Sequence, residues 1–228
     1  KNLGVALVDI GGGSTTIAIF ENGVLKDTSV LPVGGEHITK DLSIGLRTST
    51  EDAEKIKIKH GYAFYDHASE EEVFSVPIIG SDQHQQFNQL EIADIIEARM
   101  EETFDLIQHE IRRLGASDLP GGYVLCGGVA NTQGVLELAQ VVFQNRVRIA
   151  VPDYIGVREP QYCTAVGLIQ FAYKNAKIQG KNMEAIVDQP EANEKRTQKQ
   201  TQPKKSTEKE PEQKVTSRVK KFLGYFFE

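Results

Sequence analysis

Two strand-like runs divided by a glycine cluster constrain this chain more than any other feature. Leu3–Ile10 (LGVALVDI) is apolar and β-branched, Gly11, Gly12, Gly13 and Ser14 interrupt it, and Thr15–Phe20 (TTIAIF) resumes the strand pattern. A P-loop needs GxxxxGK[ST], which is absent. A dinucleotide fingerprint needs a helix after its glycines, where this chain has strand residues. What remains is a hairpin turn with the makings of a phosphate site. Glycines let backbone N–H groups close around an anion, the neighbouring hydroxyls add donors, and Asp9 at the strand end can hold a hydrated Mg²⁺ through water. A plain turn, in which the glycines only supply positive φ, is the other reading of the same residues.

The rest of the first 187 residues alternates strands and helices, which indicates an α/β domain. Asn22-Gly23 marks a second turn before a strand over Val24–Val33, so the opening is a three-stranded meander. Helices are expected over Glu36–Leu46, from Ser49 to a capping Gly61, over Leu90–Leu114, over Gly134–Phe143 and over Gln161–Lys177. The span 62–81 reads as short strands broken by the acidic turn Glu70–Glu72, and Tyr123–Cys126 and Val147–Val151 as further strands.

Val124–Ala130 (VLCGGVA) repeats the theme of the first turn, a buried strand ending in paired glycines. Gly127, Gly128 and Val129 could let a flat adenine or ribose approach the backbone, or simply connect a strand to a helix. Glu54 and Lys57 lie three apart, hence on one helix face, where they can meet ribose hydroxyls or form a solvated ion pair. His37, His60, His67, His84 and His109 show no metal-ligand spacing, and Cys126 and Cys163 sit in apolar surroundings as core residues.

Charge and composition divide the chain. Residues 1–187 carry a net charge of −9, which argues against a nucleic-acid partner. From 188 to 214 no Val, Ile, Leu, Phe, Met, Tyr or Trp occurs, so this stretch cannot offset its ordering entropy and is read as a disordered linker. Residues 215–228 then turn aromatic and basic. On a helical wheel Val215, Val219, Phe222, Leu223 and Phe226 share one arc, Phe227 flanks it, and Arg218, Lys220 and Lys221 lie outside it. Such a helix can lie in a membrane interface with its cations near anionic head groups, or dock on its own body or on a partner protein. No run is long and apolar enough to span a bilayer. The chain opens on Lys1 rather than Met, directly before a strand, and its numbering is expected to start inside a longer gene product.

The order of these elements is similar to the second half of the actin/Hsp70/sugar-kinase ATPases, and within them it most resembles FtsA, the actin-like bacterial division family. The segments that carry the likeness are VDIGGGSTTIAIF (8–20), PVGGEHITKDL (32–42), AEKIKIKHG (53–61), LEIADIIEARMEE (90–102), VLCGGVANTQGVLELAQ (124–140) and PQYCTAVGL (160–168). The sequence departs from the family where Thr16 replaces a common Asp and Val129 a common third glycine.

The resemblance implies the second domain of an actin-like (RNase H-like) ATPase, with 48–114 as an inserted lobe of the 1–187 body. It implies ATP with Mg²⁺, with Asp9 at the metal, Gly11–Ser14 at the phosphates, Glu54 and Lys57 at the ribose, and Gly127–Val129 at the adenosine. It also implies a division adaptor that forms filaments with itself and tethers the FtsZ ring. FtsZ would present its C-terminal peptide near Phe87–Arg99, and later division proteins would be recruited. The expected place is the cytoplasmic face of the cell membrane at the division site, held by the tail. No catalytic residue is assigned, and ATP hydrolysis by this chain alone is expected to be weak or nil, because the family's first domain would precede Lys1. Another ATPase or kinase of the superfamily, and a scaffold that uses no nucleotide, are the competing readings.

Overall fold

The computed structural model describes residues 4–116 and 118–180. The linker read over 188–214 and the amphipathic helix read over 215–228 lie outside those residues. In chain order the elements are β1 (Val5–Ile10), β2 (Thr15–Glu21), β3 (Val24–Leu31), α1 (Gly35–Gly45), α2 (Thr50–His60), β4 (Val73–Pro77), β5 (His84–Asn88), α3 (Gln89–Arg113), β6 (Tyr123–Cys126), α4 (Val135–Phe143), β7 (Val147–Ile149) and α5 (Cys163–Ile178). Short 3-10 turns precede α4 and α5. Lys1–Met183 forms one compact unit.

Five strands make one mixed sheet in the order β3-β2-β1-β6-β7. β1 pairs antiparallel with β2 and parallel with β6, which places Asp9 between Thr16 and Cys126. Strand chemistry explains the order. β6 is apolar throughout and buried at every residue, as an interior parallel strand must be, whereas polar β3 (VLKDTSVL) is mostly exposed at the edge. The chain leaves this sheet after β3 and returns only at β6, so residues 32–122 are inserted into the sheet order.

α3 supplies much of the core. Asn88 caps it: its side chain accepts the Glu91 N–H at 2.9 Å, and Glu91 accepts the Asn88 N–H at 2.8 Å. Ile92, Ile96, Met100, Phe104, Ile107 and Ile111 then recur every three or four residues and are fully buried. Phe104 meets Phe143 of α4 at 4.9 Å between ring centroids, and Phe143 stacks on Tyr123 of β6 at 4.1 Å, so helix, helix and sheet share one cluster.

The structure departs from the expectations at several points. Only one strand, β4, lies in 62–81. It begins just past the acidic turn and pairs with β5 (HQQFN), a polar segment with no apolar alternation to reveal it. β3 ends at Leu31 and β7 at Ile149, short of the strands read to Val33 and Val151. Gly61 caps α2 as expected, with an ordinary φ of −63°. It must be glycine because a Cβ there would stand 2.2 Å from the Lys57 carbonyl oxygen. α5 forms as expected, yet none of its residues is buried, and Leu168, Ile169, Phe171 and Ile178 are exposed.

One polar triad ties the sheet edge to α3. Ser29 of β3 donates to the buried Glu110 carboxylate, which also takes two bonds from Arg113 at 2.8 and 2.6 Å. The Arg113 guanidinium, with the Ser29 hydroxyl, holds the Glu110 carboxyl down at about 2, against 4.5 for a free glutamate. A depressed carboxyl stabilises the fold fully above the unfolded value and loses that contribution as pH falls from 4.5 through 2. Glu110→Gln should therefore lower stability at pH 7 and flatten the loss between pH 4.5 and 2, read by urea unfolding across that range. An unchanged acid profile would contradict the role given to this triad.

Candidate functional site

The first glycine cluster closes as a hairpin turn, with the Gly11 N–H donating to the Ser14 carbonyl at 2.9 Å. Its carbonyls point into the body. The Gly35 N–H donates to Gly11 at 2.9 Å and the Glu36 N–H to Gly12 at 2.8 Å. The first amides of α1 thus grip the loop directly, where an ordinary helix start would need a capping side chain. Gly34 permits this approach, since a Cβ there would sit 2.5 Å from both loop carbonyl oxygens. Gly12, Gly13 and Ser14 remain exposed on the outer side of the turn.

α2 reaches the same place from the other side. Ser49 caps it, accepting the Asp52 N–H at 3.1 Å while its hydroxyl donates to the Asp52 carboxylate at 2.7 Å. Two turns on, Lys57 Nζ uses all three of its donors: Gly35 O at 3.0 Å, Thr39 Oγ1 at 2.7 Å and Glu54 Oε2 at 2.7 Å. The Lys57 side chain is only 13% exposed, so this is no solvated surface pair but a brace between α2 and the start of α1. Burial opposes ionisation of Glu54, yet the Lys57 and Thr39 hydrogen bonds outweigh it and leave its carboxyl below the usual range.

The second glycine pair divides its work. Gly127 adopts φ +91°, and a Cβ there would lie 2.3 Å from the Ile10 carbonyl and 2.5 Å from Asp9 Oδ1. It is the contact point of β1 and the turn after β6. Gly128 meets nothing within 4 Å and faces open space. Val129 is buried. Its Cγ2 would stand 3.0 Å from a Cβ on Gly35, so the absence of a side chain on α1 accommodates the valine.

These pieces meet around one cavity of about 310 Å³, the lower end of the range for small-molecule sites. Gly11, Gly12, Glu54, Lys57, Gly128 and Val129 line it, residues drawn from three separate stretches of sequence. Asp9, Gly13, Ser14 and Gly127 do not line it. Asp9 is half-buried and its Oδ2 takes the Thr164 hydroxyl at 2.5 Å, while Gly127 backs the cavity wall. Sequence reasoning missed Gly35, Asn131, Thr132 and Gln161 in the lining. The Gly34-Gly35 pair ahead of a helix was the available signal for the first. The other three are polar loop residues without a pattern.

Charge decides what this site can accept. The Glu36 carboxylate lies 3.6–3.9 Å from where side chains on Gly12 and Gly13 would begin, and Asp9 stands two residues before Gly11 in β1. Two carboxylates beside the turn would repel a bare phosphate chain, and a divalent cation relieves that repulsion. The donor set fits Mg²⁺, which takes one or two carboxylates and keeps its waters. Among the described residues no group of three or more His, Cys, Asp or Glu forms a metal-ligand cluster. Burial, with the Asp9 charge nearby, pushes the Cys126 thiol up to about 12, and partial burial raises Cys163, which lies half-buried at the start of α5 and not in the core. In the Phe87–Arg99 stretch, the Arg99 guanidinium is engaged by Asp41 of α1 at 2.5 and 3.1 Å and by Glu102.

Comparison with known proteins follows the same lines. A family model described as cell division protein FtsA matches residues 6–167. The cell division protein FtsA of Bacillus subtilis (strain 168) is 53% identical over 241 residues, a match that covers 100% of this chain and 55% of that protein. Its counterpart from Enterococcus hirae is 33% identical over 243 residues, again covering 100% of this chain and 55% of that protein. The chain thus spans about half the length of these relatives. The crystal structure of MreB5 of Spiroplasma citri bound to ADP superposes with a TM-score of 0.64 at 20% identity, over 79% of this chain and 56% of that one. A non-polymerising A278D mutant of MamK bound to AMPPNP gives a TM-score of 0.54 at 17% identity, over 74% of this chain and 54% of that one. These likenesses establish the actin-like ATPase fold.

The two adjacent glycines should respond differently to the same change. Gly127→Ala forces both a strained φ and a backbone clash, and should cost about 3 kcal/mol or more. Gly128→Ala should stay within about 0.5 kcal/mol of wild type. Thermal or urea unfolding of the two variants separates them. Equal losses would mean that the β1 contact assigned to Gly127 is wrong.

Proposed function

The chain belongs to the FtsA family of cell division proteins, and from that premise we propose that it forms one wall of an ATP site in a membrane-tethered adaptor for the division ring. The observation that carries this reading is the convergence of Gly11, Gly12, Glu54, Lys57, Gly128 and Val129 on one cavity. Residues read separately along the sequence as phosphate, ribose and adenosine contacts lie around a single space.

In this reading the outer side of the Gly11–Ser14 turn takes the phosphates and Glu54 accepts from a ribose hydroxyl. Lys57 orients Glu54 while holding Gly35 in place. The open space at Gly128 admits the flat face of adenine. Asp9 holds a hydrated Mg²⁺, with Glu36 beside it, and the cation neutralises phosphate charge that the two carboxylates would otherwise repel. The structural neighbours MreB5 and MamK, whose structures contain ADP and AMPPNP, support a nucleotide as the ligand of this fold.

The wider role extends from the family. Residues 48–114 would act as the inserted lobe, with the FtsZ C-terminal peptide received near Phe87–Arg99, and ATP-dependent contacts between copies would build a filament. The 188–214 tether and the 215–228 tail would hold the filament at the cytoplasmic face of the membrane, where later division proteins join. A single short amphipathic helix binds weakly, but many copies along a filament multiply the attachment. The match to the Bacillus subtilis relative runs through these last residues, which supports the same arrangement in both.

Two measurements test the reading. In the protein at the full length of its relatives, a fluorescent ATP analogue should bind in a Mg²⁺-dependent manner. Gly128→Val, which fills the open space, should weaken it about tenfold or more without loss of thermal stability. Unchanged binding would leave the cavity without this ligand. The 228-residue chain should also co-sediment with anionic vesicles, and removal of residues 215–228 should abolish that. If both forms stay in the supernatant, the tail has another partner.

A further inference from the structure

The short segment that opens α5 touches the candidate site at several points, although the family motifs read from the sequence assign it no role. The Pro160 carbonyl accepts the Gly127 N–H at 3.1 Å, Gln161 lines the cavity, the Cys163 thiol donates to the Ala150 carbonyl at 3.3 Å, and the Thr164 hydroxyl donates to Asp9 Oδ2 at 2.5 Å. The other Asp9 oxygen lies against Gly127, where a Cβ would come within 2.5 Å of it. The Asp9 carboxylate is thus wedged between Gly127 on one side and Thr164 on the other. Neither neighbour is close to it in sequence.

We propose that Thr164 is a positioning residue for Asp9, fixing the carboxylate in the orientation that receives the cation and so linking cation binding to the seating of α5. This rests on the reading of the cavity as a Mg²⁺-dependent nucleotide site. A carboxylate free to rotate must be ordered when a hydrated cation binds, and a hydroxyl that already holds it removes that cost. Thr164 lies in the first turn of α5, and no residue of that helix is buried. Contacts at its head therefore seat it against the sheet. Linkage makes the effect reciprocal: whatever tightens Asp9 on the cation tightens the head of α5 by the same free energy.

The test uses the protein at the full length of its relatives, with ATP affinity measured in Mg²⁺ and in EDTA. Wild type and Thr164→Ser, which keeps the hydroxyl, should gain the same affinity on adding Mg²⁺. Thr164→Val should lose about tenfold of that gain, the scale for a lost hydrogen bond to a charged group, while its affinity in EDTA stays unchanged. Hydrogen exchange over residues 163–168 should slow with Mg²⁺ and ATP in wild type and not in Thr164→Val. Should the valine variant melt early, Thr164→Ala removes the same hydroxyl with less bulk and carries the same expectation.

A valine variant that keeps the full Mg²⁺ gain overturns the proposal. So does one that loses affinity equally in Mg²⁺ and EDTA, or a serine variant that behaves like valine. If wild type itself shows no Mg²⁺-dependent ATP binding, the nucleotide reading of the cavity fails and this inference with it.

Discussion

The grip of the α1 N-terminus on the first glycine turn is the contact from which the rest of the site follows. Two amides of α1 donate to the carbonyls of Gly11 and Gly12, and Gly34 has no Cβ because there is no room for one. A helix start normally leaves several amides without partners inside its own ladder. Here the hairpin turn satisfies them, so helix and turn specify each other. From that junction the network extends outward: Lys57 donates to the Gly35 carbonyl, to Thr39 and to Glu54. The position of the α2 pair is inherited from the turn some forty residues earlier.

A second support lies beneath. α3 buries a continuous apolar face against the helices and the sheet, and its Phe104 joins the Phe143–Tyr123 stack below β6. Asp9 and Gly127 project from the ends of the two central parallel strands, β1 and β6, whose pairing this core fixes. The polar groups around the cavity thus rest on apolar packing that none of them provides. Ligand sites outside the carboxyl ends of parallel strands are general in open α/β sheets, and the proposed site follows the same geometry.

Legibility in the sequence varied with the physics behind each element. The β1–β2–β3 meander, α3 and the strand before the second glycine pair follow from periodicity and turn residues, and these elements formed where expected. β5 escaped notice because a polar hairpin strand pairs through its backbone and leaves no apolar alternation. Gly61 caps α2 as its position in the sequence suggests, but the reason it must be glycine, a steric approach to the Lys57 carbonyl, is not local to any cap pattern. Glu54 and Lys57 could be placed on one helix face from their spacing. The seating of Lys57 depended on Gly35 and Thr39, which no local pattern links to it. α5 shows the converse, since its helical character was plain in the sequence while its exposure was not. A repeat of apolar residues says that a face wants cover, not what covers it.

By itself the sequence determined the strand–glycine–strand opening, the helix boundaries, the acidic body and the composition break at 188, because backbone sterics, turn chemistry and hydrophobic periodicity act over a few neighbouring residues. Through motif likeness it also pointed to the family. Only the tertiary structure decided that residues from three stretches enclose one cavity, that Lys57 is a half-buried brace, and that Thr164 holds Asp9 across 155 positions of chain. Those outcomes depend on where the β1–β6 pairing and the α1–glycine junction carry each segment. Such long-range geometry arises from packing, and no local rule encodes it.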